Sequence, residues 1–284
     1  MRMPRRLFVL LSILALLALL AVGTSASAAT PPPAPGAIGL YGPDGKPVHR
    51  PHGSGWYTCK HDIHANVANS AIVRNNGSQP MCIGSYTWDD KFTVYLSSVT
   101  RDWADFPNIF VGCEMDGTLP QLCTQGRAKP VRVSSIRKDV SSVSYHYPLS
   151  DFTGNAAYDI WFDRTSRQPK GRDDGAEIMI WLGSNGIGSP DFTRVVNIDG
   201  IWWGYITWGA FHSGHGWNYI RYWRLSGRST DSVTLNLIPF YKDAERAGRL
   251  SSRWYLTGTE FGFETCFGGK GLEVRRFTDQ LVAR

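Results

Sequence analysis

The sequence predicts an all-β protein, a sandwich of two packed antiparallel sheets with a single helix. Seven runs of strand length are rich in β-branched and aromatic residues: 92–96, 140–146, 156–162, 176–182, 201–208, 217–223 and 254–263. Turn formers bound most of them, such as Asn155 and the glycine-dotted stretches 183–188 and 209–216. Only 237–250 reads as a helix; it is rich in Lys, Ala, Glu and Arg, with Gly248 near its end as a stop.

Residues 1–29 read as an export signal. Arg2, Arg5 and Arg6 form a basic start, 7–22 an apolar run, and Ala26-Ser27-Ala28 a small-residue cleavage pattern. The run is too short and wrongly flanked for a transmembrane helix, so a secreted, extracellular protein without a membrane span is expected. Cleavage takes three arginines from 30 basic residues set against 24 acidic ones, which leaves about +3. That balance, with no Lys/Arg stripe among aromatics, gives no reason to expect a nucleic-acid partner. Residues 30–55 form a Pro/Gly-rich leader, and 56–284 suit one β domain. Nothing points to an oligomer, so a monomer is expected.

The five cysteines are Cys59, Cys82, Cys113, Cys123 and Cys266. Export permits disulfides, and Cys59–Cys82 with Cys113–Cys123 is the preferred pairing among those the count allows. No C-x-x-C or paired-histidine spacing occurs, and His212 and His215 lie in a Gly-rich loop without a third ligand, so no metal is expected.

The strand 176–182 carries the most chemistry. Its alternation places Ile178, Ile180 and Leu182 on an apolar face and Glu177, Met179 and Trp181 on the other. Asp159 and Trp161 share a face in the same way, and Glu264 closes the run Glu260-Phe261-Gly262-Phe263-Glu264. Eleven tryptophans suit either a sugar-lined cleft or an aromatic core. Retaining glycoside hydrolysis needs two carboxylates about 5–5.5 Å apart, one ionised for attack and one protonated for the leaving oxygen. Glu177 and Glu264 are the candidates, with Asp159 as a third carboxylate that helps set their charge states. The chemistry calls for no cofactor.

Several segments resemble glycoside hydrolase family 12, β-1,4-glucanases with a β-jelly-roll fold. Asn155-Ala156-Ala157-Tyr158-Asp159 is similar to its N-x-A-Y-D strand, and Glu177-Ile178-Met179-Ile180-Trp181-Leu182 to its nucleophile strand. Ile187-Gly188-Ser189-Pro190 matches the loop that follows. Trp254-Tyr255-Leu256 through Gly262-Phe263-Glu264 resembles the acid/base strand, and Gly268-Gly269-Lys270-Gly271-Leu272 the G-x-G-L after it. The resemblance covers about 59–277 in the family's order, and its cysteines fall where bacterial members carry two disulfides.

The resemblance implies two curved antiparallel sheets with one helix and a long substrate cleft. It implies Glu177 as nucleophile, Glu264 as acid/base and Asp159 as helper of Glu177. Met179, Trp161, Trp181, Trp203 and Glu260 are then the expected substrate-binding residues. Three departures stand out. Gly77-Ser78 follows Asn75-Asn76 where the family has a tryptophan. Glu260 replaces a glutamine, which is expected to favour protonated Glu264 by like-charge repulsion. Thr265-Cys266 replaces a Pro-aromatic pair, expected to put a small thiol on the cleft side. The expected function is a secreted retaining endo-β-1,4-glucanase acting on cellulose-like, mixed-linkage or xyloglucan chains. A noncatalytic β-glucan-binding jelly roll and a xyloglucan-specific or xylan-active hydrolase are the alternatives.

Overall fold

The computed structural model describes residues 55–58, 64–67, 71–77, 81–86, 90–100, 105–114, 122–124, 129–166, 174–209, 216–225 and 232–284. The expected export signal, most of the leader, Cys59 and the two loop histidines lie outside these residues.

Two sheets make up the fold. The smaller runs β1 (Gly55–Thr58), β4 (Met81–Tyr86), β5 (Phe92–Ser97), β17 (Glu273–Ala283), β9 (Ile136–His146), β15 (Ser232–Asn236). The larger runs β12 (Arg194–Ile198), β13 (Ile201–Trp208), β14 (Asn218–Arg224), β11 (Ala176–Asn185), β10 (Phe152–Asp163), β16 (Tyr255–Gly268), β6 (Asp105–Glu114), β3 (Ala71–Gly77), β2 (His64–Val67). Off this path β7 (Leu122–Cys123) pairs with β6, and β8 (Val131–Arg132) pairs with β16.

The pairing is antiparallel, as expected, with one exception among the described strands. β14 runs parallel to β11, with Glu177 opposite Tyr219 and Trp181 opposite Trp223. The chain leaves β11, makes the β12–β13 hairpin, and returns as β14 between β13 and β11. Strand propensity carries no information about direction, so only tertiary packing decides this pair.

The core lies between the sheets. Ile178, Ile180 and Leu182 meet Tyr158, Ile160, Phe162, Phe261 and Phe263 of the neighbouring strands and Phe92, Val143, Tyr145 and Phe277 of the smaller sheet. Tyr158 and Phe261 pack edge-on at 5.1 Å, and Phe92 meets Phe263 edge-on at 6.1 Å. Each such aromatic side chain stabilises the fold by about 1.5–3 kcal/mol on burial. Trp203 belongs here too. It is wholly buried with its ring 5.3 Å from that of Phe240, so it is a core residue and not the substrate-binding residue expected. Alternation along β13 is the reason: Trp203 and Tyr205 turn inward, whereas Trp208 turns out to stack on Tyr219.

The helix α1 (Ile238–Arg246) is shorter than 237–250. Pro239 sits in its first turn, and Gly248, with φ 67, ends it in the left-handed region that favours glycine. Its Phe240, Tyr241, Asp243 and Ala244 are buried. The Tyr241 hydroxyl donates to Asp139 at 2.7 Å. Near it the Lys129 ammonium meets Asp279 at 2.9 Å and the Thr259 hydroxyl at 2.5 Å. These residues join α1 and both sheets through buried polar contacts.

Burial pushes the Asp139 carboxyl up to about 7 from its ordinary 3.8; Asp279 adds to the rise, and Lys129 and the Tyr241 hydroxyl oppose it. Because the folded state holds this proton more tightly than the unfolded chain, the stability it supplies is complete below 3.8 and is lost as pH rises through about 7. Asp139→Asn should therefore flatten the decline of unfolding free energy across that window, by an amount on the order of a few kcal/mol. Denaturant titrations of both proteins at several pH values read this directly; parallel curves would refute it.

Candidate active site

The face of the larger sheet turned away from the core gathers the charged and aromatic residues. In the ladder, Glu177, Met179 and Trp181 stand opposite Trp161, Asp159 and Ala157 of β10. On the other side of β10, Asp159 faces Glu260 and Asn155 faces Glu264. Beyond β11 the same row continues into Tyr219, Arg221 and Trp223 of β14. Of the predicted site residues, all but Trp203 share this face.

Glu177 is nearly buried, at 8% exposure. Its Oε2 accepts the indole N–H of Trp217 at 2.6 Å. An indole N–H can only donate, so it holds that oxygen as an acceptor. Trp217 in turn rests edge-on against Trp161 at 5.2 Å. Asp159, diagonal to Glu177 across the ladder, is also buried. Met179 and Trp181 form a small dry cluster with Ala157, flanked by Ile187, Tyr219 and Trp223. Trp181 packs on Trp223 at 4.6 Å, and the Tyr219 hydroxyl donates to the Met179 sulfur at 3.2 Å.

Glu264 is half-buried, and its Oε2 accepts from the Asn155 amide. Burial pushes its carboxyl up to about 6 from the ordinary 4.5, while the Asn155 hydrogen bond and the Arg221 cation pull it back. Glu260 is not among these causes, which corrects the expected like-charge effect. Its carboxylate is buried against Arg74 at 3.3 Å, and Arg74 also donates through Nε to the Asn108 side-chain Oδ1 at 3.3 Å and lies 5.6 Å over the Phe110 ring. The charge of Glu260 is therefore balanced within the floor of the face.

Tyr219 ties the carboxylates together. Burial raises its hydroxyl well above the ordinary value; Arg221 opposes this, and the charges of Glu177, Glu264 and Asp159 all add to the rise. One phenol thus feels the two glutamates, which pair with opposite edges of β10, together with Asp159 of β10 itself.

Two further features shape the face. Gly262 lies between Glu260 and Glu264, and a Cβ there would stand 2.4 Å from the Pro107 carbonyl oxygen. Cys266 is buried at a bulge, where Gly154 pairs with Thr265 and Thr153 with Phe267. It is 5% exposed. The Cys113–Cys123 disulfide joins β6 to β7. Cys82 is also disulfide-bonded, and its expected partner Cys59 lies outside the described residues.

Sequence reasoning assigned no role to Asn155, Trp217, Tyr219 or Arg221. The available signal was alternation in 217–223, where Trp217, Tyr219, Arg221 and Trp223 share one face and Ile220 and Tyr222 the other.

Comparison with known proteins bears on this arrangement. The model of glycosyl hydrolase family 12 matches residues 69–282. Endoglucanase S of Pectobacterium parmentieri is 32% identical over 151 residues, 52% of this chain and 56% of that protein. Xyloglucan-specific endo-beta-1,4-glucanase A of Emericella nidulans is 27% identical over 137 residues, 48% of this chain and 55% of that protein. The chain spans about half the length of these curated relatives. The crystal structure of a metagenome-derived glycoside hydrolase family 12 endoglucanase superposes with a TM-score of 0.72 at 30% identity, covering 81% of this chain and 99% of that one. The fold is accordingly the β-jelly-roll sandwich, and with the family model matched from 69 to 282 the chain belongs to glycosyl hydrolase family 12.

Proposed function

We propose that the protein is a retaining endo-β-1,4-glucanase that cleaves internal bonds of cellulose-like, mixed-linkage or xyloglucan chains. The observation that carries this reading is the convergence of Glu177, Asp159 and Glu264 on Tyr219, with unlike surroundings for the two glutamates. In the reaction the Glu177 carboxylate attacks the anomeric carbon while the glycosidic C–O bond breaks and Glu264 gives its proton to the departing oxygen. Water then attacks the anomeric carbon, its bond to Glu177 breaks to release that carboxylate, the water's proton passes to Glu264, and the anomeric configuration is restored. A carboxyl group poised near 6 suits a residue that must give and then take a proton. Asp159, diagonal to Glu177, assists the nucleophile. Trp161 flanks the groove at partial exposure, and Met179 and Trp181 form its floor beneath the sugar.

The named relatives include an endoglucanase and a xyloglucan-specific enzyme, which supports a β-1,4-glucan backbone as substrate. Export to the extracellular space and a monomeric state complete the proposal. Among the described residues no helix is long and apolar enough to cross a membrane.

Reducing-end release from carboxymethyl-cellulose, barley β-glucan, xyloglucan and xylan tests the reading, with Glu177→Gln and Glu264→Gln alongside. Turnover of at least one β-1,4-glucan is expected, falling by roughly 10²–10⁴-fold or more in each variant. Retention of glucan binding without turnover in the wild type would favour the noncatalytic alternative, and activity on xylan alone would favour the xylanase.

The pH profile gives a second test. Glu264 must be protonated for the first step, so activity should fall as pH rises through about 6. The Asn155 hydrogen bond lowers that value, so Asn155→Ala should shift the alkaline limb of kcat/KM to higher pH. A limb that stays in place or moves down would separate Glu264 from the observed ionisation.

A further inference from the structure

Arg221 stands in the middle of the candidate site, between Met179 of β11 and Ile206 of β13 in the ladder. Its guanidinium lies 4.5 Å over the Trp181 ring, with the rings of Trp223 at 5.7 Å and Trp208 at 6.0 Å. Three indoles hold a planar cation by its face.

The edge of the same group is unfilled. Nε is buried without a hydrogen-bond partner, and the side chain makes no hydrogen bond or ion pair among the described residues. Arg74 and Arg194, by contrast, are paired with Glu260 and Asp243 at 3.3 and 2.6 Å. Neither terminal nitrogen of Arg221 is buried without a partner, so both reach the open side of the sheet. A fork of donors held by its face, with rotamer freedom already lost, is preorganised for oxygen ligands.

Two kinds of oxygen could answer it. A carboxylate on the chain would have to approach Glu177, Asp159 and Glu264, whose like charges oppose it. Neighbouring sugar hydroxyls carry no charge and match the spacing of a guanidinium edge. We propose that Arg221 binds the glucan itself, donating to hydroxyl oxygens of the glucosyl unit that lies over Met179 and Trp181 beside Glu264. This assignment rests on the glucanase reading and adds a residue that selects and positions its substrate. Its charge has a second effect, since it is one of the two influences that oppose the rise in the Glu264 pKa.

The experiment uses the full chain as wild type, Arg221→Met, Arg221→Lys and Glu177→Gln on neutral barley β-glucan and on carboxymethyl-cellulose. Arg221→Met should raise KM about tenfold or more, the loss expected for a charged hydrogen bond, with a smaller change in kcat. Its alkaline limb should move to higher pH, because the cation that lowers Glu264 is gone. Arg221→Lys should keep the limb near its wild-type place, since the charge remains, yet recover KM only in part, since the fork does not. Lysine also guards against a methionine variant that fails to fold. If KM and the limb of a folded Arg221→Met stay within twofold of wild type, the assignment is wrong, while an active wild type and silent Glu177→Gln leave the glucanase reading intact. A loss confined to carboxymethyl-cellulose would assign Arg221 to anionic substituents and likewise overturn it. Should the wild type itself be silent, calorimetric affinity for barley β-glucan reads the same contact, and equal binding by wild type and Arg221→Met refutes it.

Discussion

The β11–β10–β16 ladder is the constraint from which the candidate site follows. β10 is paired on both edges, to β11 from Gly154 to Phe162 and to β16 from Phe152 to Asp163. With both edges committed, successive side chains must alternate between core and groove. Slipping β11 by one residue would turn Glu177 into the hydrocarbon between the sheets and bring Ile178, Ile180 and Leu182 to the open face. Each of those three side chains is worth about 1.5–3 kcal/mol when buried, so groups that touch no sugar hold the carboxylates in place. The bulges at Ala156/Ala157, Thr153/Gly154 and Trp161/Phe162 then adjust the strand locally without reversing its faces.

Acidic groups recur on both sides of this sheet, and their surroundings separate structure from chemistry. On the core side Asp279 is ion-paired with Lys129 and Asp139 accepts from the Tyr241 hydroxyl, so each meets a donor that belongs to the fold. Glu260 is treated similarly by Arg74 on the open side. Glu264 accepts from the neutral Asn155 amide, and Glu177 from the neutral Trp217 indole. Neutral donors orient a carboxyl group without pinning its charge state, which suits the roles proposed for the two glutamates. Arg221 is the cation that bears on Glu264 through space among the described residues.

Much of this was legible from period-two patterning. The run 201–208 matches β13 at both ends, and the faces of 176–182 are those of β11. Trp203 was misplaced because two adjacent tryptophans, Trp202 and Trp203, must face opposite ways and composition alone does not say which is inside. The effect of Glu260 was misjudged because its partner Arg74 lies 186 residues away, beyond any local pattern. Short strands such as β1, β2, β12 and β15 carry too few residues for a periodic signal, and their pairing comes from neighbours. Tyr219 and Arg221 were readable as one face of a strand, but their link to Glu264 depends on β14 returning parallel to β11.

Gly262 has a consequence for how such a groove can diversify. Any side chain there would collide with the Pro107 backbone, and its neighbours Glu260 and Glu264 are committed to Arg74 and Asn155. The middle of the sheet is therefore closed to gradual sequence drift. Trp202 and Trp208, at 53% and 43% exposure on β13, carry no such obligation toward the backbone. Inherited variation should collect on β13, near the sheet's edge, so that relatives sharing one centre diverge by changing its margin.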